Sequence, residues 1–160
     1  MVMPADKVGD IIRRTKANYD FVKGHKECGL FEVTQLVNSF LCAVIQPWDK
    51  FDTCSPPWNM PLVKAKAAGW PSIAHELSTP KQLHELIKNM RDALAHGNVE
   101  YLASNDRRDI SGLRLTANKW DRPSKAWTPT WRGEFTIGEL EAFFCKFVET
   151  AAGSSPKTTA

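Results

Sequence analysis

The feature that most narrows the fold of this chain is a change in the spacing of its apolar residues at Gly97-Asn98. Before that point they recur every three or four residues, as on a helix that buries one face. After it they alternate, as on a strand. The chain therefore reads as mainly α, with a β-hairpin set between its third helix and its last. At 160 residues, 42% of them hydrophobic, it is long enough for one core and short for two, so residues 1–152 are expected to form a single domain.

Val8, Ile11, Ile12, Thr15, Tyr19 and Val22 share one stripe and define a first helix from Asp6 to about His25. A second carries Val33, Leu36, Val37, Phe40, Leu41, Val44 and Ile45, and should stop at Pro47, which lacks an N–H. Its other face, Glu32, Gln35, Ser39, Cys42 and Gln46 with Asn38 alongside, reads as solvated; a site or a subunit contact is the competing interpretation. Residues 47–78 combine prolines 47, 56, 57, 61 and 71 with Trp48, Trp58 and Trp70. That composition breaks regular structure but supplies bulky anchors, so an ordered excursion with one short helix is predicted.

Thr79-Pro80-Lys81-Gln82 reads as an N-cap, a proline at the first helical position and a capping-box glutamine. The helix they open bears Leu83, Leu86, Ile87, Met90 and Leu94 and should end at Gly97. Val99, Tyr101 and Ala103, then Leu113, Leu115 and Ala117, flank the polar turn 105–109 and predict the hairpin. Residues 120–135 are expected to be its extension or a loop. Thr136-Ile137-Gly138-Glu139 is a capping box for a last helix carrying Leu140, Phe143, Phe144, Phe147 and Val148, and 153–160 should be a flexible tail.

The net charge of +3 permits an anionic partner without requiring one. Cys28, Cys42, Cys54 and Cys145 form no C-x-x-C pair, the first residues lack a secretory apolar core, and no apolar run is long enough to span a membrane. A soluble cytoplasmic protein is expected. His25, His75 and His84 show no zinc-ligand spacing with the cysteines, and there is no Gly-rich phosphate loop, so neither metal nor cofactor is anticipated.

The chemistry concentrates at the end of the third helix, Arg91-Asp92-Ala93-Leu94-Ala95-His96-Gly97-Asn98. His96 lies nearly opposite the apolar stripe with Asp92 one turn behind, close enough for the carboxylate to orient the imidazole. Histidine can move protons near neutral pH, and the planar arginine cation matches phosphate oxygens. Together they suit RNA cleavage, in which a 2′-hydroxyl loses a proton, a 5′-oxygen gains one and charge builds on phosphorus. One histidine can hardly be base and acid at once, which makes a symmetric dimer attractive. The plainer interpretation stands beside this one, since helix C-termini favour Arg and His on stability grounds alone.

This Arg-polar-x-x-x-His run resembles the signature of the HEPN superfamily, and Glu32-Val33-Thr34-Gln35-Leu36-Val37-Asn38-Ser39 resembles the core helix of a HEPN subfamily carried on bacterial plasmids and mobile elements. The resemblance spans about residues 8–150 and matches least in the proline- and tryptophan-rich excursion. It implies an antiparallel helical bundle, usually a homodimer, and a metal-independent endoribonuclease of toxin–antitoxin, phage-defence or RNA-processing systems. Arg91 and His96 carry over as the catalytic pair and Asp92 as the polar residue between them. Other members serve as nucleotidyltransferase partners or as nucleotide binders, so an antitoxin or a nucleotidyltransferase is a further expected partner.

Lys88, Asn98, Arg107 and Arg108 are candidate RNA contacts around this site. Between Asn105 and Arg132 seven basic residues outnumber three acidic ones, with Trp120, Trp127 and Trp131 among them. Basic plus aromatic is the composition of a single-stranded RNA groove, and equally of a hairpin whose charges prevent edge aggregation over core-packed tryptophans.

Overall fold

The structure, a computed structural model, describes residues 5–25, 32–45, 48–104 and 109–153. Arg107 and Arg108, Gly29, Pro47, Cys28, Gln46 and the expected tail beyond Gly153 lie outside the described residues.

Helices α1 (Ala5–Gly24) and α2 (Glu32–Phe40) follow their stripes, burying Val8, Ile12 and Tyr19 from the first and Leu36, Val37 and Phe40 from the second. A π-helical turn, Leu41–Ile45, continues α2 and keeps Ala43 and Val44 inside. The solvated face predicted for α2 needs correction at Ser39, which is only 1% exposed. Both α1 and the last helix pack against α2, so more than one face is covered. The buried hydroxyl is accommodated because the Gln35 amide donates to it at 3.4 Å.

The excursion contains a 3-10 turn, Trp48–Lys50, the short helix α3 (Leu62–Ala67) and a strand, β1 (Ala74–Glu76), that the sequence reading lacked. Three residues are too few for alternation to show. Trp48, Trp58 and Trp70 are buried anchors as expected.

Helix α4 (Leu83–Ala95) starts later than Thr79-Pro80 suggested, with Gln82 at its N-cap. The excursion is the cause. The amides of Leu83 and His84 donate to the carbonyls of Met60 and Trp58, each at 2.9 Å, and Gln82 forms a β-bridge with Pro61. Glu85 serves the capping role instead, its carboxylate accepting from the Lys81 amide at 2.7 Å.

After α4 come β2 (Val99–Ala103), β3 (Ile110–Asp121) and β4 (Ala126–Thr136), then α5 (Ile137–Ala152). The expected hairpin is thus part of a four-stranded antiparallel sheet, ordered β1-β4-β3-β2. Of the two alternatives for residues 120–135 the structure has the hairpin extension, with 126–136 in strand β4, and the chain is not a pure helical bundle but about half helix with a small sheet. Pro129 cannot donate to a ladder, and the sheet admits it beside a bulge. Helices α4 and α5 cover the sheet, whose Leu113, Leu115, Ala117, Trp131 and Phe135 are all buried. No described helix is long and apolar enough to cross a membrane.

Candidate functional site

Helix α4 is closed by a Schellman motif in which the Gly97 amide donates to Leu94 at 3.2 Å and the Asn98 amide to Ala93 at 2.9 Å. Gly97 sits at φ +69°, and a Cβ there would meet nothing within 4 Å. Glycine is needed for its left-handed backbone, not for space.

The motif delivers the chain directly into β2. Val99 pairs with Leu115, and the Asn98 carbonyl accepts from Thr116 at 3.1 Å. His96, at the end of α4, is thereby brought beside Asn118 of β3, with which it lines one pocket. The bulge between Ala117 and Asn118 then shifts the pairing of β3 with β4, so that Asn118 faces Pro129 and Trp120 faces Trp127. Without that extra residue Trp120 would face Thr128, because one residue of slip reverses every side chain.

These two registers create a pocket of about 320 Å³ lined by His96, Asn98, Asn118 and Trp127. The rings of His96 and Trp127 lie 5.9 Å apart at 43°, and Trp120 meets Trp127 nearly edge-on at 5.5 Å. Trp120 and Trp127 are 45% and 58% exposed, whereas Trp131 is 1% exposed. Two of the three hairpin tryptophans are therefore surface rings and only one is core. The Oδ1 of Asn118 is buried with no hydrogen-bond partner among the described residues.

One turn back along α4, charges are arranged in a row. Lys88 Nζ pairs with Asp92 at 2.9 Å, and Arg91 reaches Asp92 at 3.9 Å and Asp49 at 3.5 Å. Asp92 is thus tied to His96 through the main chain, where the His96 amide donates to its carbonyl at 3.2 Å, while its carboxylate faces Lys88 and Arg91. The Nε–H of Arg91 is buried without a partner among the described residues. The His96 ring is exposed and engaged by no carboxylate among the described residues.

Of the residues singled out from sequence, His96 and Asn98 share the pocket, while Arg91, Asp92 and Lys88 form the adjoining charged row. Asp49, Asn118 and Trp127 were not assigned to the site. Asp49 carries no local signal, since it arrives from 42 residues away; the signal for Trp127 was a large ring among exposed polar residues. Among the described residues no three His, Cys, Asp or Glu side chains converge as metal ligands.

A family model described as HEPN pEK499 p136 matches residues 1–157. No curated protein and no solved structure matches the chain.

Proposed function

The chain belongs to the HEPN pEK499 p136 family, and from that membership we propose that it is a metal-independent endoribonuclease working at the C-terminal end of α4. The observation that carries this reading is the imidazole of His96, exposed at the rim of a pocket and engaged by no carboxylate among the described residues. His96 exchanges protons with the RNA oxygens. Arg91, with an Nε–H still to be satisfied, holds the non-bridging phosphate oxygens as negative charge builds on them. The 2′-oxygen forms a bond to the adjacent phosphorus as its proton passes to a base, and the bond to the 5′-oxygen breaks as that oxygen takes a proton from an acid. The products are a 2′,3′-cyclic phosphate and a 5′-hydroxyl.

Base and acid are both required in one turnover, so the working form is a homodimer that supplies two histidines. Asp92 acts as a positioning residue, keeping Lys88 and Arg91 aligned on one face of α4.

Incubation of the purified protein with mixed single-stranded and structured RNA in EDTA tests this. Cleavage with cyclic phosphate ends is expected, and His96→Ala should lower the rate by about 10²- to 10⁴-fold. Arg91→Ala should cost about 10²- to 10³-fold. Equal cleavage by all three proteins, or a strict need for divalent metal, overturns the proposal. A second reading, a non-catalytic RNA-binding module or partner subunit, is favoured by the two carboxylates already near Arg91. It predicts salt-sensitive RNA binding that survives His96→Ala, with no turnover by the parent protein.

A further inference from the structure

Proton transfer and phosphate neutralisation use His96 and Arg91 but leave the rest of the pocket without a task. We propose that Trp127, Asn98 and Asn118 hold one unpaired RNA base beside the bond that His96 acts on, so that the substrate is single-stranded. The placement of that bond rests on the ribonuclease reading; the binding of the base does not.

Trp127 is an exposed stacking surface backed by a second ring. More than half of it is exposed, and Trp120 stands nearly edge-on against it across the strand pair, a cross-strand contact that supports the indole. The His96 ring lies 5.9 Å away. Two rings that sandwich a third need about 7 Å, twice the ~3.5 Å contact between carbon atoms. A base therefore stacks on the open part of the indole, with its edge turned toward the asparagines.

Asn118 supplies the second, independent observation. Its carbonyl oxygen is covered and meets no donor among the described residues, a costly condition that a ligand N–H relieves once the carboxamide turns into the pocket it lines. Every unpaired base presents an N–H on its edge, and a carboxamide can pair with that edge through two hydrogen bonds. In a duplex the edge is occupied by the opposite strand and the faces by neighbouring pairs, so neither the asparagine nor the indole could be served.

The strand end beyond the pocket suits the phosphates on either side of such a base. Lys119, Arg122 and Lys125 are all exposed there. Their acidic neighbour, Asp121, is occupied by Ser124, whose amide donates to it at 3.2 Å. Exposed cations beside stacking rings are how single strands are held without regard to sequence. A second copy of the chain is the competing occupant; the polar lining and the unmet carbonyl favour the base.

The test measures binding of a short fluorescent 2′-O-methyl RNA, which lacks the attacking hydroxyl, as a single strand and annealed to its complement. The protein should prefer the single strand. Trp127→Ala should weaken that binding roughly tenfold to a hundredfold, with little change for the duplex or in the urea midpoint, and Trp127→Phe should restore most of it. Unchanged single-strand affinity in folded Trp127→Ala, a preference for duplex, or no binding by the parent protein overturns the pocket. So does conversion of a dimer to a monomer in the ultracentrifuge by Trp127→Ala with RNA affinity intact, which would mark a subunit contact.

The two readings fail separately. His96-dependent cleavage with Trp127-independent binding overturns the base pocket alone. Trp127-dependent binding with no cleavage of ordinary RNA overturns the nuclease alone.

Discussion

His75 shows how one side chain ties the stability of the fold to pH. Its Nδ1 accepts a hydrogen bond from the buried Trp131 indole at 3.2 Å, an arrangement open only to the neutral ring. Partial burial pushes its pKa below the ordinary 6.5. The unfolded chain then binds a proton at higher pH than the folded one. The contribution is complete above about pH 6.5 and is lost as pH falls, until the folded ring itself protonates. The urea midpoint of the parent protein should drop as pH is lowered through this range, and His75→Asn, which can offer an acceptor without titrating, should remove that part of the slope. Residues were legible from sequence to the extent that their roles are local. His96 and Gly97 stood out because a helix end has its own grammar of charge and left-handed backbone. Asp49 and Asn118 gave no sign, since what they face is decided by segments far away in the chain.

Elements announced themselves when their ends carried a cap. Thr136 and Glu139 form the expected box, the Thr136 hydroxyl accepting from the Glu139 amide at 3.1 Å and the Glu139 carboxylate from the Thr136 amide at 2.8 Å. Thr136→Ala should cost about 1 kcal/mol in urea unfolding, with Thr136→Ser close to the parent. The same grammar misplaced the start of α4, where Thr79-Pro80 looked complete but the chain was held by Pro61 and Met60 instead. Tertiary pairing outweighed a local cap. Strand β4 reads from sequence as either extension or loop, and the bulge that admits Pro129 is also what brings Trp127 opposite Trp120. No periodicity in a single strand reveals a register shift between two, so the aromatic wall of the site could be suspected from composition but not located.

Across the whole molecule, Phe147 joins the excursion to the closing helix. Fully buried on α5, it meets Trp58 at 5.3 Å, Phe51 at 5.9 Å and Trp48 at 6.3 Å between ring centres. Phe147→Ala should cost about 3–5 kcal/mol and, because the rings form one cluster, should lower a single cooperative thermal transition rather than release the excursion alone. Near-ultraviolet circular dichroism followed through the melt would detect a separate loss. Other long-range ties run the same way: α1 packs on α5, Lys23 pairs with Glu141, and Ala74 lies beside Glu134 in the sheet. That last pairing has a bearing on synthesis. Strand β4, the neighbour of β1 in the sheet, leaves the ribosome some 60 residues after β1 does, about 3 to 12 s later at ordinary elongation rates. The stacking wall and the end of α4 come together only after β4 has followed, so a nascent chain that has not yet released β4 has no finished site with which to touch its message.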